Sequence, residues 1–255
     1  MLRLAGRGAF GVVWVARDLT GILRAVKIVA PSSLSGSDPG RGEEQALALV
    51  RHRVPHHPHL VRIFHVSRQE GRLLYAMELA DPALDSPPAD QEGYQADTLA
   101  HRIATQGRLP LVEALGIALD LLHALDALHQ AGLVHRDVKP GNVIFVDGIA
   151  KLADVGLAAT IQTQMSLAGT AGFLPLDGST GPDADLYALG KLLYQTVTGG
   201  DPADFPAVPA PLLLGPDARA FRRLNRVLLR ACALSRAERY TTAPVPPLPR
   251  MEMRS

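Results

Sequence analysis

His135-Arg136-Asp137-Val138-Lys139-Pro140-Gly141-Asn142 is the stretch on which the reading of this chain turns. It sets a carboxylate (Asp137), a cation (Lys139) and an amide (Asn142) in one short loop. Each type has a use where a phosphoryl group moves. A carboxylate can act as base or orient the attacking hydroxyl, a cation neutralises the moving group, and an amide oxygen can hold Mg²⁺. Asp137 is thus a candidate base and Asn142 a candidate metal ligand.

Downstream, Val143–Val146 and Lys151-Leu152 flank Asp147-Gly148 and predict a small hairpin. Asp154-Val155-Gly156 follows directly on that hairpin. Upstream, Gly6-Arg7-Gly8-Ala9-Phe10-Gly11-Val12-Val13 is a glycine cluster of the kind whose backbone amides can approach phosphates. Dinucleotide-binding folds share its spacing but need a helix directly after the third glycine. Here Val12-Val13-Trp14-Val15 follows, which is strand-like, so that alternative fails. Lys27, in Ala25-Val26-Lys27, lies in the second apolar run beyond Gly11, amid strand residues. Its ammonium must meet an anion or reach water along its stem.

The first third reads as strands at Val12–Ala16, Leu23–Val29, Leu60–Val66 and Leu73–Leu79, with a helix over Glu43–Val50. Pro82–Tyr94, rich in Pro and Asp, reads as a surface loop. From about Thr98 the chain turns helical. Leu115, Leu119, Leu122, Leu125 and Leu128 predict the buried stripe of a long helix, Val112–Gln130, and further helices follow at Asp183–Thr198 and Ala218–Leu234. The tail after Thr242 carries four prolines and is expected to lack fixed structure.

The 255 residues suit one large domain or two lobes sharing a cleft, and 47% apolar content suffices for a core. A net charge of +1 gives no electrostatic case for nucleic acid or an acidic membrane. The longest apolar-rich stretch, Leu111–Leu133, is cut by Glu113, Asp120, His123, Asp126 and His129, so no membrane partner is expected. Met1-Leu2-Arg3-Leu4 is too short for a signal peptide before Gly6, and the single cysteine, Cys232, excludes an internal disulfide. These features point to the cytoplasm. His52, His56, His57, His59 and His65 lack a partner cysteine or a helical His pair, so a zinc site is not expected; His57-Pro58-His59-Leu60-Val61 reads as a turn before a strand, and the other histidines are expected on a solvated surface.

In this order and spacing the motifs resemble those of bacterial Ser/Thr protein kinases, over roughly Arg3 to Tyr240. The resemblance implies an α+β bilobal fold, a β-rich lobe over about 1–80 and a mostly helical lobe over about 81–242, with 243–255 as a tail. It implies ATP in the cleft with Mg²⁺, or Mn²⁺ in its place, on Asn142 and Asp154. Gly6, Arg7, Gly8, Ala9, Phe10 and Gly11 would cover the phosphates, Val13 and Ala25 would meet the ring from above, Met77 would be the gatekeeper, and Glu78 to Ala80 the hinge. Catalysis would rest on Asp137, Lys139, Lys27 and a helix carboxylate. Both Glu43 and Glu44 are candidates for the last. With Glu43 paired to Lys27, Ala46, Leu47 and Val50 face the core, whereas Glu44 would send Arg51 there, which favours Glu43.

Further implications concern substrates. Lys139, with Gly141 and Val143 where tyrosine kinases carry an arginine, implies Ser/Thr acceptors on protein partners, the chain itself included. Thr170 would bridge Asp137 and Lys139, and Arg136 would hold a phosphate on Thr163 or Ser166. Asp185 would steady the catalytic loop. Three departures stand out: Val155 for the usual Phe, Pro175-Leu176-Asp177 for Ala-Pro-Glu with Arg239 as partner, and an abbreviated stretch between Gly199 and Ala218, where a docking helix is expected to be shortened or absent. The alternatives are a nucleotide-binding pseudokinase scaffold and a small-molecule kinase of related fold.

Overall fold

Gly11 fixes the first turn of the structure. Its φ of +144° is open to glycine, and a Cβ there would stand 2.2 Å from the Ile28 carbonyl oxygen. Around it, β1 (Arg3–Gly8) and β2 (Gly11–Arg17) pair antiparallel, with Gly6 opposite Val13 and Gly8 opposite Gly11. The computed structural model describes residues 1–8, 11–29, 39–155, 159–160 and 170–242. Ala9, Phe10, Gly156, Thr163, Ser166 and the tail after Thr242 lie outside the described residues.

Strands β3 (Leu23–Val29), β4 (Ile63–Gln69) and β5 (Arg72–Met77) complete an antiparallel sheet in the order β1-β2-β3-β5-β4. In β3 burial alternates, with Ala25, Lys27 and Val29 inward, as a strand with one covered face requires. Helix α1 (Pro39–Arg53) packs on β4 and β5 and turns Ala46, Leu47 and Val50 into the core. The strand expected from Leu60 begins at Ile63, because Leu60 pairs instead with Leu152 of the helical half, through the Val61 amide donating to the Leu152 carbonyl and the Leu152 amide donating to the His59 carbonyl. The strand expected to reach Leu79 ends at Met77, where Glu78-Leu79-Ala80 leave the sheet to cross between the halves.

The helical half begins with α2 (Leu99–Gln106), capped by the Thr98 hydroxyl, which accepts from the His101 amide. Helices α3 (Leu111–Gln130) and α4 (Pro182–Thr198) form its centre, joined by α5 (Ala210–Leu214) and α6 (Ala218–Ala231). Pro182 starts α4 at a position where no amide donor is needed, and Gly199 ends it in the left-handed region. A Cβ on Gly199 would stand 2.2 Å from the Gly107 carbonyl oxygen. The hairpin is present as β7 (Val143–Val146) and β8 (Ile149–Leu152), and β6 (Leu133–Val134) pairs with β9 (Ala159–Thr160). Between Gly199 and α6 the chain forms a 3-10 turn at Pro202–Asp204 and the short α5, with no longer helix among the described residues there.

The stripe on α3 is corrected. Leu115 and Leu119 are exposed, and the buried face is Ala114, Ile117, Ala118, Leu121, Ala124, Leu125 and Leu128. Small Ala114 and Ala118 let α3 approach Leu193, Tyr194 and Val197 of α4 closely, leaving larger leucines outside. Among the described residues no helix is long and apolar enough to cross a membrane. One apolar cluster runs through both halves, from Leu47, Leu73 and Tyr75 to Leu121, Leu128, Leu152, Val155 and Leu192. His52, His56 and His65 are exposed, as expected, whereas His59, in the turn before β4, bonds the Ala150 carbonyl oxygen at 3.2 Å, stacks on His123 and lies 3.5 Å from Asp120.

Candidate active site

Between the sheet and the helical half lies a cavity of about 430 Å³. Its roof is Gly6, Arg7, Gly11, Val13 and Ala25, its back is Lys27, Tyr75 and Met77, its edge is Glu78, Leu79 and Ala80, and its floor includes Asn142, Ile144 and Asp154. Gly8 closes β1 beside Gly11. Alternation in β3 and β5 produces the back wall: Ala25 pairs with Met77 and Lys27 with Tyr75, so all four face one side.

Lys27 is buried, and its ammonium sits 3.2 Å from Glu43 and 2.5 Å from Asp154, which comes from far along the chain. Burial opposes its charge, but the two carboxylates outweigh burial and hold Lys27 above its ordinary value. Burial pushes Glu43 up; Lys27 opposes that shift and Asp154 adds to it. The Tyr75 hydroxyl donates to Glu43 at 3.0 Å, and burial first, then the carboxylates, raise Tyr75 well above its usual range. Glu44, the other candidate, pairs with Arg68 on the outside at 2.7 Å.

On the opposite side Asp137 is nearly sealed from solvent. Lys139 lies 2.7 Å from one carboxylate oxygen, and the Thr170 hydroxyl donates to the other at 3.0 Å. Lys139 in turn donates to Thr170 at 2.8 Å. The Asn142 amide nitrogen donates to both the backbone oxygen and the carboxylate of Asp137, each at 2.8 Å. That commits the nitrogen and leaves the Asn142 oxygen as an acceptor, on a residue that lines the same cavity as Asp154. Two hard oxygen donors lining one cavity suit Mg²⁺, which takes few protein ligands and completes its shell with water and phosphate oxygen. The residues present therefore fit that ion.

Arg136 and Asp154 adopt φ values of +72° and +60°. Such left-handed geometry costs about 1–3 kcal/mol for a non-glycine residue and persists only where neighbours impose it. For Arg136 the imposing group is Asp185. Its buried carboxylate accepts the His135 and Arg136 amides, each at 2.8 Å, and His129 Nε2 at 2.8 Å. Asp177 reaches Arg239 at 3.1 Å, and Arg239 also donates to Ser179 and to the carbonyls of Ala233 and Leu234. The shorter acid is thus accommodated. Val155 is buried in the same cluster as Leu47.

Sequence reasoning did not identify Tyr75 or His129, nor Tyr94, Ala96 and Thr98, which line the cavity beyond Ala80. Tyr75 shares a strand face with Met77, and alternation along β5 would have placed it in the cavity wall. The segment Pro82–Tyr94 carried no comparable signal.

A family profile described as Protein kinase domain matches residues 1–207. A probable serine/threonine-protein kinase PknB of Bifidobacterium longum is 32% identical over 78% of this chain and 30% of its own length. The serine/threonine-protein kinase PknL of Mycobacterium tuberculosis is 35% identical over 54% of this chain and 37% of its own. A carbon catabolite-derepressing protein kinase of Candida albicans is 28% identical over 82% and 33%. The chain thus spans about a third of the length of these relatives. The solved kinase domain of Mycobacterium tuberculosis PknI superposes with a TM-score of 0.68 at 26% identity, covering 95% of this chain and 90% of that one.

Proposed function

We propose that this chain, which belongs to the protein kinase family, transfers the γ-phosphoryl group of ATP to serine and threonine hydroxyls of protein substrates, itself included. The observation that carries the reading is the bonded cluster of Asp137, Lys139, Thr170 and Asn142, whose Lys139 and Asn142 line one cavity together with Asp154 and with Lys27, the partner of Glu43. Buried charges so arranged stand ready for a transfer whose barrier is lowered by positioning and electrostatics.

Lys27, held by Glu43, would bind the non-transferred phosphates. Asp137 would orient the acceptor hydroxyl and take its proton. Lys139 would screen charge on the moving phosphoryl group, and Thr170 would keep Lys139 against Asp137. Asn142 and Asp154 would hold Mg²⁺, which when bound neutralises phosphate charge. The ladder of Asp137, Lys139 and Thr170 sets a short reach, which suits Ser or Thr; a phenol stands several ångströms further from its backbone.

Purified protein with labelled ATP, Mg²⁺ and a generic basic acceptor protein tests this. Phosphoserine and phosphothreonine are expected, on the acceptor and on the chain. Predominant phosphotyrosine would refute the acceptor assignment, and no transfer with saturable nucleotide binding would favour a scaffold.

A further inference from the structure

The segment after the hinge departs from a plain surface loop. Both its ends are fixed to the helical half. The Asp81 amide donates to the Phe145 carbonyl at 2.8 Å, and the Asp81 carboxylate accepts the Asp147 and Gly148 amides at 3.0 and 2.8 Å. At the other end the Asp97 amide donates to the Asp81 carbonyl, and the Phe145 amide donates to the Asp97 carbonyl. Between these anchors the chain rises to the sheet. Ala89 and Tyr94 pack with Val15 of β2, which is fully buried, and Ala5, Leu23, Leu79 and Ala96 surround them. The Arg3 guanidinium donates to the Asp90 carbonyl, and Arg17 pairs with the Asp90 carboxylate at 3.3 Å. Tyr94 donates its hydroxyl to the Ala80 carbonyl at 2.9 Å while its side chain lines the cavity. Pro87 and Pro88, beside the Ser86 hydroxyl that accepts the Gln95 amide, stiffen the rise.

We propose that Asp81–Asp97 is a strap that ties the roof strands β1 and β2 to the helical half, with Tyr94 as a positioning residue for the hinge, and that it sets nucleotide affinity by holding the cavity closed in advance. The inference rests on the reading of this cavity as a nucleotide site. Lifting the roof must expose Val15, Ala89 and Tyr94 to water and break the Asp90 ties, so the closed roof is favoured before nucleotide arrives. Preorganisation of this kind raises affinity by removing an ordering cost from the binding step. It contributes nothing to the transfer itself, because among the described residues the strap's anchors and ties run to the hairpin β7–β8, to His101 and Arg102 of α2, to β1 and β2 and to the hinge, and not to Asp137, Lys139 or Thr170.

The test uses Ala89→Asp, which places a charge between strap and β2 without altering a cavity-lining residue, and Tyr94→Phe, which keeps the ring and removes the donor to Ala80. Binding of a fluorescent N-methylanthraniloyl ATP with Mg²⁺, hydrogen exchange of β2 amides, and transfer to the basic acceptor at saturating ATP are read in each. Coupling free energies between two distant sites typically correspond to about 5-fold to about 150-fold in affinity, and the lower end sets the scale here. Ala89→Asp should weaken nucleotide binding at least about fivefold, speed exchange over Val12–Ala16, and leave kcat at saturation unchanged. Tyr94→Phe should weaken binding less and leave β2 exchange as in the wild type. Unchanged affinity and exchange in Ala89→Asp would overturn the strap, as would a fall in kcat with affinity intact, the mark of a merely structural contact. A wild-type protein that bound no nucleotide would refute the proposed function, while β2 exchange would still decide whether the strap holds the roof.

Discussion

Replacing Asp185 by Asn removes one charge and no volume, so its effect isolates the restraint on the catalytic loop. One carboxylate oxygen accepts the His135 amide and His129 Nε2, and the other accepts the Arg136 amide, all at 2.8 Å. Asparagine offers one accepting oxygen. Its NH₂ group must then face at least one backbone N–H that the carboxylate had satisfied. A buried donor left unsatisfied costs about 1–3 kcal/mol. For a domain of this size each kcal/mol lowers Tm by about 2–4 °C, so a loss near 2 kcal/mol corresponds to about 4–8 °C. The same change releases the left-handed Arg136, whose strain of about 1–3 kcal/mol then favours rearrangement. Asp137 follows directly, and misplacement by about 1 Å can cost about 10²-fold in rate. Urea unfolding and transfer at saturating ATP measure the two effects. His129→Gln is the control, since it exchanges the imidazole for an uncharged amide donor and leaves both backbone amides bonded; it should cost well under half as much. Wild-type stability and turnover in Asp185→Asn would refute the argument, and an equal loss in His129→Gln would reassign it to a simple ion pair.

Asp137→Ala should slow transfer by at least about 10²-fold, the lower range for a positioned base, and should spare ATP binding better than Lys27→Met, as titration with the fluorescent nucleotide would show. Asp154→Ala should lower activity comparably and weaken its dependence on Mg²⁺ concentration; an unchanged metal titration would count against Asp154 as a ligand. Val155→Phe should overpack the cluster around Leu47 and cost about 1–3 kcal/mol, whereas a rise in kcat at unchanged Tm would reveal a cavity instead. Burial first, then His59 and His123, lower His57 from 6.5 to about 4. The unfolded chain therefore takes up a proton that the folded chain refuses between those values. Stability from this group is full above about 6.5 and is lost as pH falls toward about 4. His57→Asn should narrow the difference in urea midpoint between neutral and mildly acidic solution.

The catalytic loop was legible because its chemistry is contiguous: Asp137, Lys139 and Asn142 meet within one turn, and only Thr170 comes from elsewhere. Glu43 was legible for another reason, since helical phase decides which of two adjacent carboxylates shares a face with Leu47. The same logic failed on α3. With leucines on nearly every side, that helix carries little phase information, and the contact face was marked by Ala114 and Ala118 rather than by the largest side chains. Tyr94 was not legible at all. Its burial depends on Val15 of β2, far earlier in the chain, and nothing local to Pro82–Tyr94 signals that neighbour.

What the sequence cannot display, the buried charges organise. Lys27, Glu43, Asp137, Asp185 and Arg239 are all nearly sealed from solvent. An unpaired charge so placed is far too costly to keep, and removal of one partner from such a pair typically costs about 3–5 kcal/mol. Each finds its partners on another element: Lys27 of β3 on Glu43 and Asp154, Asp137 on Thr170, Asp185 of α4 on the loop after β6, Arg239 on Asp177. None of these pairs can form before the elements are packed. The groups that would carry the chemistry are therefore also groups whose satisfaction depends on the sheet and helical halves meeting in one register. Substitutions at Lys27 or Asp185 should for that reason report in stability as well as in rate, and Lys139, which keeps partial access to solvent, should separate the two. Lys139→Ala is expected to lose transfer while holding a near-native Tm, and a collapse of Tm in that variant would place Lys139 among the structural charges instead.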